Sequence, residues 1–340
     1  MCKKSSMHLR ALGMIGTALI GSILLDGCRQ TKESRHVEPS AASAKITGID
    51  SVGSAVVPGG ATAFGPFVAP GTPLVKLATG MRFIEGPAWT DDGLVFSDIP
   101  ANELKRWSNG SVTSFRYPSG NANGNTIDRV GRLISCEHAG RRLSIRESDG
   151  TVRALVDRYE NRRFNSPNDA VVKSDGTVWF TDPTYGLPPG ERSEQTGNNV
   201  YRFDPQTGLT TVVVGDFDMP NGLCFSPDEQ QLYLSDSGRP RHVRVFDVQS
   251  DGTLGRGREF CRIDVGVPDG LRCDIQGRLY VAAGDGVHVY SPEGSLQGKI
   301  PVPETTANLC FGGRNGTTLF ITASTSLYSI ELLVRGASAH

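Results

Sequence analysis

The chain has 340 residues, with 35 Lys and Arg against 36 Asp and Glu, a formal net charge of −1. That balance gives no strong global field, which argues against nucleic acid as the main partner. Its 41 Gly and 20 Pro require many turns and few long helices, so the composition points to an all-β protein.

The N-terminus reads as an address. Lys3, Lys4 and Arg10 precede an apolar run from Ala11 to Leu25, which is short for a membrane span and suits the core of an export signal. The run ends in Leu25-Asp26-Gly27-Cys28, which resembles a lipobox despite the unusual Asp26. Residues 1–28 are therefore expected to be a signal peptide, with Cys28 as the site of a lipid anchor or with ordinary cleavage nearby. An acyl-bearing residue tethers a domain without any spanning helix. The protein is accordingly expected to be exported, either periplasmic or membrane-anchored as a lipoprotein. Residues 29–72 are rich in Ser, Ala, Gly, Pro and Thr and read as a flexible linker that buries little. Residues 73–333 carry the folded body, and 334–340 a short tail.

Of the 7 Cys, Cys2 and Cys28 fall in the signal. The remaining five show no CxxC spacing, and they read as buried, inert thiols instead of a disulfide framework or a zinc site.

In the body, a turn carrying Gly or Asp precedes a short apolar strand six times: at Leu94–Asp98, Leu133–Cys136, Val178–Asp182, Leu232–Asp236, Leu279–Ala282 and Leu319–Thr322. The copies recur roughly every 40 to 55 residues, the length of one four-stranded propeller blade. Alternating runs such as Asn199–Asp204 and Val243–Asp247 follow them. Period-2 alternation between tight turns makes these strands. A closed ring buries both faces of every blade and removes the worst edges. The expectation is a six-bladed β-propeller, with Leu74–Leu77 adding the outer strand of the last blade beside Ser326–Ile330.

Aligning the segments that open each blade produces one polar column: Glu85, Asn125, Asn168, Asn221, Asp269 and Ala307. At one mouth of the channel, two carboxylates would converge with several amides. Such carboxylates repel unless a cation or a proton neutralises them. Glu85, Asp269 and the carbonyl oxygens of Asn168 and Asn221 form an all-oxygen set. That chemistry favours one divalent ion, Ca²⁺ ahead of Zn²⁺, with Mg²⁺ and Mn²⁺ open. Taken singly, Pro-Asn-Gly and Pro-Asp-Gly are turn signals; the recurrence in one register carries the metal reading.

These residues resemble the gluconolactonase and senescence-marker-protein family, whose members are six-bladed propellers. The most specific stretch runs from Phe164-Asn165-Ser166-Pro167-Asn168-Asp169 to Asp182-Pro183-Thr184-Tyr185-Gly186. Asn123-Gly124-Asn125-Thr126-Ile127-Asp128, with Cys136-Glu137-His138 after it, resembles the bacterial gluconolactonase branch. The resemblance implies a metal held by Glu85, Asn168, Asn221 and Asp269, with Asp269 as proton donor or acceptor in lactone hydrolysis. It also implies that Asn123 contacts substrate. Asn121 stands where animal members carry an arginine for substrate, which leaves the sugar open.

The expected reaction is hydrolysis of a gluconolactone-like ester to the aldonic acid, the metal polarising the carbonyl. His138 follows a blade strand beside the channel and is the second catalytic candidate. Asn125 and Tyr185 are candidate substrate contacts, Tyr185 lying on the Pro183–Gly190 loop. No Gly-x-Ser-x-Gly elbow or Walker loop is present. The partner implied is a small lactone, with no protein partner. The alternatives are other lactones or organophosphates on the same site, or a non-catalytic binding propeller.

Overall fold

The computed structural model describes residues 64–337. The expected signal and most of the linker lie outside the described residues, as do the last three positions.

Six four-stranded antiparallel sheets stand around a common axis, each ordered from the inside outward. Blade 1 comprises Ile84–Thr90, Gly93–Asp98, Glu103–Ser108 and Ser111–Arg116; blade 2 comprises Ala122–Ile127, Leu133–Glu137, Arg142–Arg146 and Val152–Val156. Blade 3 runs through Ala170–Val172, Val178–Asp182, Asn199–Asp204 and Leu209–Val214. Blade 4 takes Pro220–Phe225, Gln231–Asp236, His242–Asp247 and Arg258–Arg262. Leu271–Cys273, Leu279–Ala283, Gly286–Tyr290 and Leu296–Pro301 make blade 5. Blade 6 is composite: Thr306–Gly312, Thr318–Ala323 and Ser326–Glu331 receive their outer strand, Val75–Ala78, from the other end of the body. Val75 pairs with Ser329 and Lys76 with Tyr328, so the ring closes as the sequence led one to expect. The innermost strand of each sheet remains an edge, but a short one shielded within the channel.

The apolar core lies between blades. Ile134 and Ile145 of blade 2 meet Phe164, Val178 and Phe180 at blade 3, and Phe164 packs edge-on to Phe180 with ring centroids 5.1 Å apart. Trp179 of blade 3 packs with Leu223 and Leu232 of blade 4, and Phe96 of blade 1 with Phe320 of blade 6. Each second strand is thus apolar on both faces, which is why it reads as a continuous apolar run.

Two boundaries differ from expectation. The end of the supposed linker is core: Phe64, Phe67 and Val68 are buried with Tyr280 and Val287, and Phe67 accepts a backbone bond from Leu333 at 2.9 Å. The apolar outer flank of blades 5 and 6 needs cover, and Phe67 lies edge-on to Tyr280 at 5.7 Å. The tail is likewise docked, with Val334 buried and the Ala337 amide donating to the Cys273 carbonyl at 2.9 Å. The five body cysteines are buried and unlinked.

Candidate metal and active site

A repeated dipeptide builds the channel mouth. Strand-end Asp98, Asp182 and Asp236 accept amides from the turn entering their own blade: Arg82 and Phe83, Asn165, and Asp218 and Met219. The Ser or Thr before each one reaches sideways to the next blade. Ser97 donates to the Asn123 carbonyl at 2.6 Å, Thr181 to Asn221 at 2.7 Å and Ser235 to Asp269 at 2.8 Å. One residue therefore anchors the blade, and its neighbour fixes the backbone of the following blade's mouth residue.

Strand pairing defines the column. Ile84 faces Asp98, Ala122 faces Glu137 and Pro220 faces Asp236, so Glu85, Asn123 and Asn221 occupy equivalent places. Asn168 and Asp269 join them through amide bonds to Thr181 and Ala282, at 2.8 and 3.0 Å, and Ala307 completes the ring. A register shift falls at the column residue in blades 1, 2, 4 and 6, bending the strand at the mouth.

Asn125 is displaced from the place the sequence alignment gave it. It lies two residues deeper, where its Nδ2 donates to the Gly86 carbonyl at 2.8 Å and to Ser97 Oγ at 2.9 Å, and its Oδ1 accepts from Ser135. With those groups committed, Asn125 ties blade 1 to blade 2, and Asn123 takes the mouth.

The residue after each column member is Gly86, Gly124, Gly222 or Gly270 in four blades. A Cβ on Gly86 would lie 2.1 Å from the Asn123 carbonyl oxygen, and one on Gly270 would lie 2.1 Å from Asn308 Oδ1. The Asn-Gly and Asp-Gly pairs are therefore close-approach points between inner strands, not turns. Blades 3 and 6 carry Asp169 and Asn308 there instead, which puts a second polar layer beneath the mouth. Arg272, on the inner strand of blade 5, reaches this layer with Nη1 3.5 Å from Asp169 Oδ2.

Glu85, Asn123, Asn168 and Asn221 are buried, and Asp269 is partly so. Asn221 is held by Nδ2 donating to Ser237 Oγ at 2.8 Å, while Ser237 donates to the Pro268 carbonyl at 2.6 Å. This chain leaves Asn221 Oδ1 buried without a hydrogen bond, and Asp269 Oδ1 is in the same state. Such atoms are costly unless something binds them. Burial and the Asp169 charge push Glu85 up to about 7, against the Gly86 amide that Glu85 Oε2 accepts at 2.6 Å. Burial, then Glu85 and Asp169, hold Asp269 well above the ordinary carboxylate range. Arg272 is the one cation among these carboxylates in the described residues. Orphaned oxygens on crowded, charge-deficient carboxylates and amides fit a divalent ion, and the all-oxygen set suits Ca²⁺.

His138 is buried, and its Nε2 lies 3.3 Å from Asn123 Nδ2. Burial lowers its pKa to about 4, so the ring is neutral at pH 7 and Nε2 accepts from Asn123. The Asp182–Gly197 loop folds over it: a Cβ on Gly186 would lie 2.5 Å from His138 Nδ1. The Asn165-Ser166 pair holds that loop, Asn165 Nδ2 donating to the Gly197 carbonyl at 3.0 Å and Ser166 Oγ accepting the Gly186 amide at 3.1 Å. Buried Arg141 pins the far side through Glu191 at 2.6 Å. Tyr185 sits at 45% exposure on the loop. Desolvation of the phenol, then the charges of Asp269, Glu85 and Asp169, raise its pKa above normal, so it remains a hydroxyl. Asn121 does not join: its Nδ2 donates to the Ile99 carbonyl at 2.8 Å and holds a turn.

Two other features compete as sites. A cavity of about 300 Å³, lined by Trp89, Cys224, Arg272, Cys273, Cys310 and Phe311, opens at the opposite end of the inner strands, away from the column. Asp264, Asp285 and His288 cluster on blade 5, but Lys299 Nζ already lies 3.0 Å from a carboxylate oxygen of each Asp. That cluster holds its own cation in direct contact, whereas among the described residues the mouth carboxylates have only Arg272, one layer below.

Comparisons with known proteins place the chain in a family. The model of the SMP-30/Gluconolactonase/LRE-like region matches residues 83–325. The chain belongs to this family. It is 34% identical to a gluconolactonase from Zymomonas mobilis, over 76% of this chain and 81% of that one. It is 30% identical to a 6-deoxy-6-sulfogluconolactonase from Pseudomonas putida, over 73% and 86% respectively. The solved gluconolactonase from Xanthomonas campestris superposes with a TM-score of 0.74 at 34% identity, covering 82% of this chain and 98% of that one. Within the family frame, the sequence reading missed Asp169, Asn308 and Arg272. The break in the glycine column at Asp169 and Asn308 was the available signal.

Proposed function

We propose that the protein is a lactone hydrolase that opens a gluconolactone-like sugar lactone to its aldonic acid. The observation that carries the reading is the pair of orphaned oxygens, Asn221 Oδ1 and Asp269 Oδ1, at a mouth covered by the Tyr185 loop. Relatives named for gluconolactone and sulfogluconolactone hydrolysis support the reaction class.

Glu85, Asn168, Asn221 and Asp269 would hold a divalent ion, Ca²⁺ first, and its charge would supply Lewis-acid polarisation of the lactone carbonyl. Asp269 takes a proton from the attacking water and returns it to the ring oxygen as the carbon–oxygen bond breaks. His138 is neutral and acts as a positioning residue: by accepting from Asn123 Nδ2 it turns the Asn123 carbonyl oxygen toward the mouth, where a sugar hydroxyl can donate to it. Tyr185 offers its hydroxyl to the substrate from above and excludes water. Export to the periplasm, with or without a lipid on Cys28, is the location we propose from the N-terminal segment.

Acid release from D-glucono-1,5-lactone by the full chain tests the reading, with Ca²⁺, Zn²⁺ or Mn²⁺ and with chelator, the uncatalysed rate subtracted. Metal-dependent turnover that disappears in folded Asp269→Ala supports it. A folded, metal-loaded protein without turnover on this lactone or on other sugar lactones refutes it.

A further inference from the structure

We propose that Cys224 and Cys273 form a redox-active pair that closes into a disulfide between blades 4 and 5 under oxidising conditions. Their Sγ atoms lie 3.7 Å apart, both thiols free and buried. They belong to the innermost strands of neighbouring blades, Pro220–Phe225 and Leu271–Cys273, which are not hydrogen-bonded to each other. A bond at the usual length of about 2.05 Å requires a modest further approach of the two sulfurs. Both residues line the cavity at the far end of the channel, which gives a small reagent a route and the side chains room to turn. Among the described residues, the other three body cysteines have no sulfur within hydrogen-bonding reach.

The chemistry is thiol–disulfide exchange with a small organic disulfide. One cysteine, as thiolate, attacks a reagent sulfur, forming a mixed disulfide and releasing one reagent thiol. The second then attacks the protein-side sulfur, closing the Cys224–Cys273 bond and releasing the other reagent thiol. Two protein thiols are oxidised and one reagent disulfide is reduced, the two protons leaving with the reagent thiols. The neighbouring Cys224, then burial, hold the Cys273 thiol well above its ordinary pKa, so closure is slow at neutral pH and faster as pH rises.

The cross-link would act on the mouth. Cys224 lies three residues beyond Asn221 on the same strand, and Cys273 four beyond Asp269, which lies just before the Leu271–Cys273 strand. A staple there fixes the spacing of these two groups and restricts the unfolded chain.

The test is to incubate the full chain with bis(2-hydroxyethyl) disulfide at pH 8, alkylate in denaturant and map peptides by mass. The expected result is a linked Cys224–Cys273 peptide and a higher Tm that dithiothreitol reverses. In Cys224→Ala, Cys273 should stop at the mixed disulfide, with Tm unchanged by dithiothreitol. Full alkylation of both residues in the wild-type protein after prolonged incubation, or a link from either one to another cysteine, would overturn the proposal.

Discussion

Arg272 lies inside the channel with Nη1 3.5 Å from Asp169 Oδ2, one layer beneath the Glu85 and Asp269 carboxylates. Asp169 and Arg272 come from blades 3 and 5, so their pair spans the channel between non-adjacent blades. With one divalent ion at the mouth, Arg272 completes the neutralisation of three carboxylates.

Removing that charge should be costly. Arg272→Met leaves Asp169 buried without its cation, a class of change that costs about 3–5 kcal/mol. Urea unfolding should report a loss of that size, and Asp169→Leu in the same chain should recover much of it. A lone Arg272→Met loss below about 1 kcal/mol would place the pair among weak, solvated bridges.

The metal-free protein should lose stability in base. Glu85 titrates at about 7 in the fold, above its ordinary 4.5, so the folded chain holds a proton that the unfolded chain has released. That contribution is fully present below 4.5 and lost as pH rises through 7. Chelated protein should therefore melt lower at pH 8 than at pH 5.5, and saturating Ca²⁺ should remove most of the difference. Equal melting temperatures at both pH values in chelator would contradict the assignment.

His138 carries the opposite sign. Its folded pKa of about 4 lies below the ordinary 6.5, so its neutral form stabilises the fold above 6.5 and that stability is lost as pH falls toward 4. Ca²⁺-loaded His138→Gln should lose less stability across that window than wild type. If His138 orients Asn123, the variant should raise KM by roughly 10-fold with a smaller change in kcat, since it removes binding more than chemistry.

Loop closure over His138 depends on Gly186. A Cβ there meets the imidazole at 2.5 Å, so Gly186→Ala should push the Tyr185 loop outward. Lactone KM should rise with little change in Tm, because Trp179, Phe180 and the rest of the blade 3 core are untouched.

Phe67 measures how far the folded body extends. Side-chain truncation of a fully buried aromatic costs about 3–5 kcal/mol, whereas a residue on a loose tether costs nearly nothing. Phe67→Ala should fall in the first class, as its 0% exposure demands.

Much of this architecture was legible in the chain. Gly- and Asp-bearing turns before continuous apolar strands revealed six blades, and Leu74–Leu77 was recognisable as the closing strand. The sideways bonds from Ser97, Thr181 and Ser235 to the next blade were not legible, because they require the ring to be closed. The column was readable except in blade 2, where Asn123 and Asn125 are two apart and so equally plausible by period; pairing of Ala122 with Glu137 decides between them. Phe64 and Phe67 sit in a stretch whose Gly and Pro content hid their burial. Arg272 was illegible because its partner stands about 100 residues away on another blade, a distance that only ring closure bridges.

The most direct test of the central claim is to strip the full chain of metal and titrate Ca²⁺ while following both bound ion and lactone hydrolysis. Activity should rise in proportion to occupancy and saturate at a single ion, with Asn221→Leu losing ion and activity together while remaining folded. Full activity in stripped protein, or undiminished ion binding in Asn221→Leu, would contradict the account.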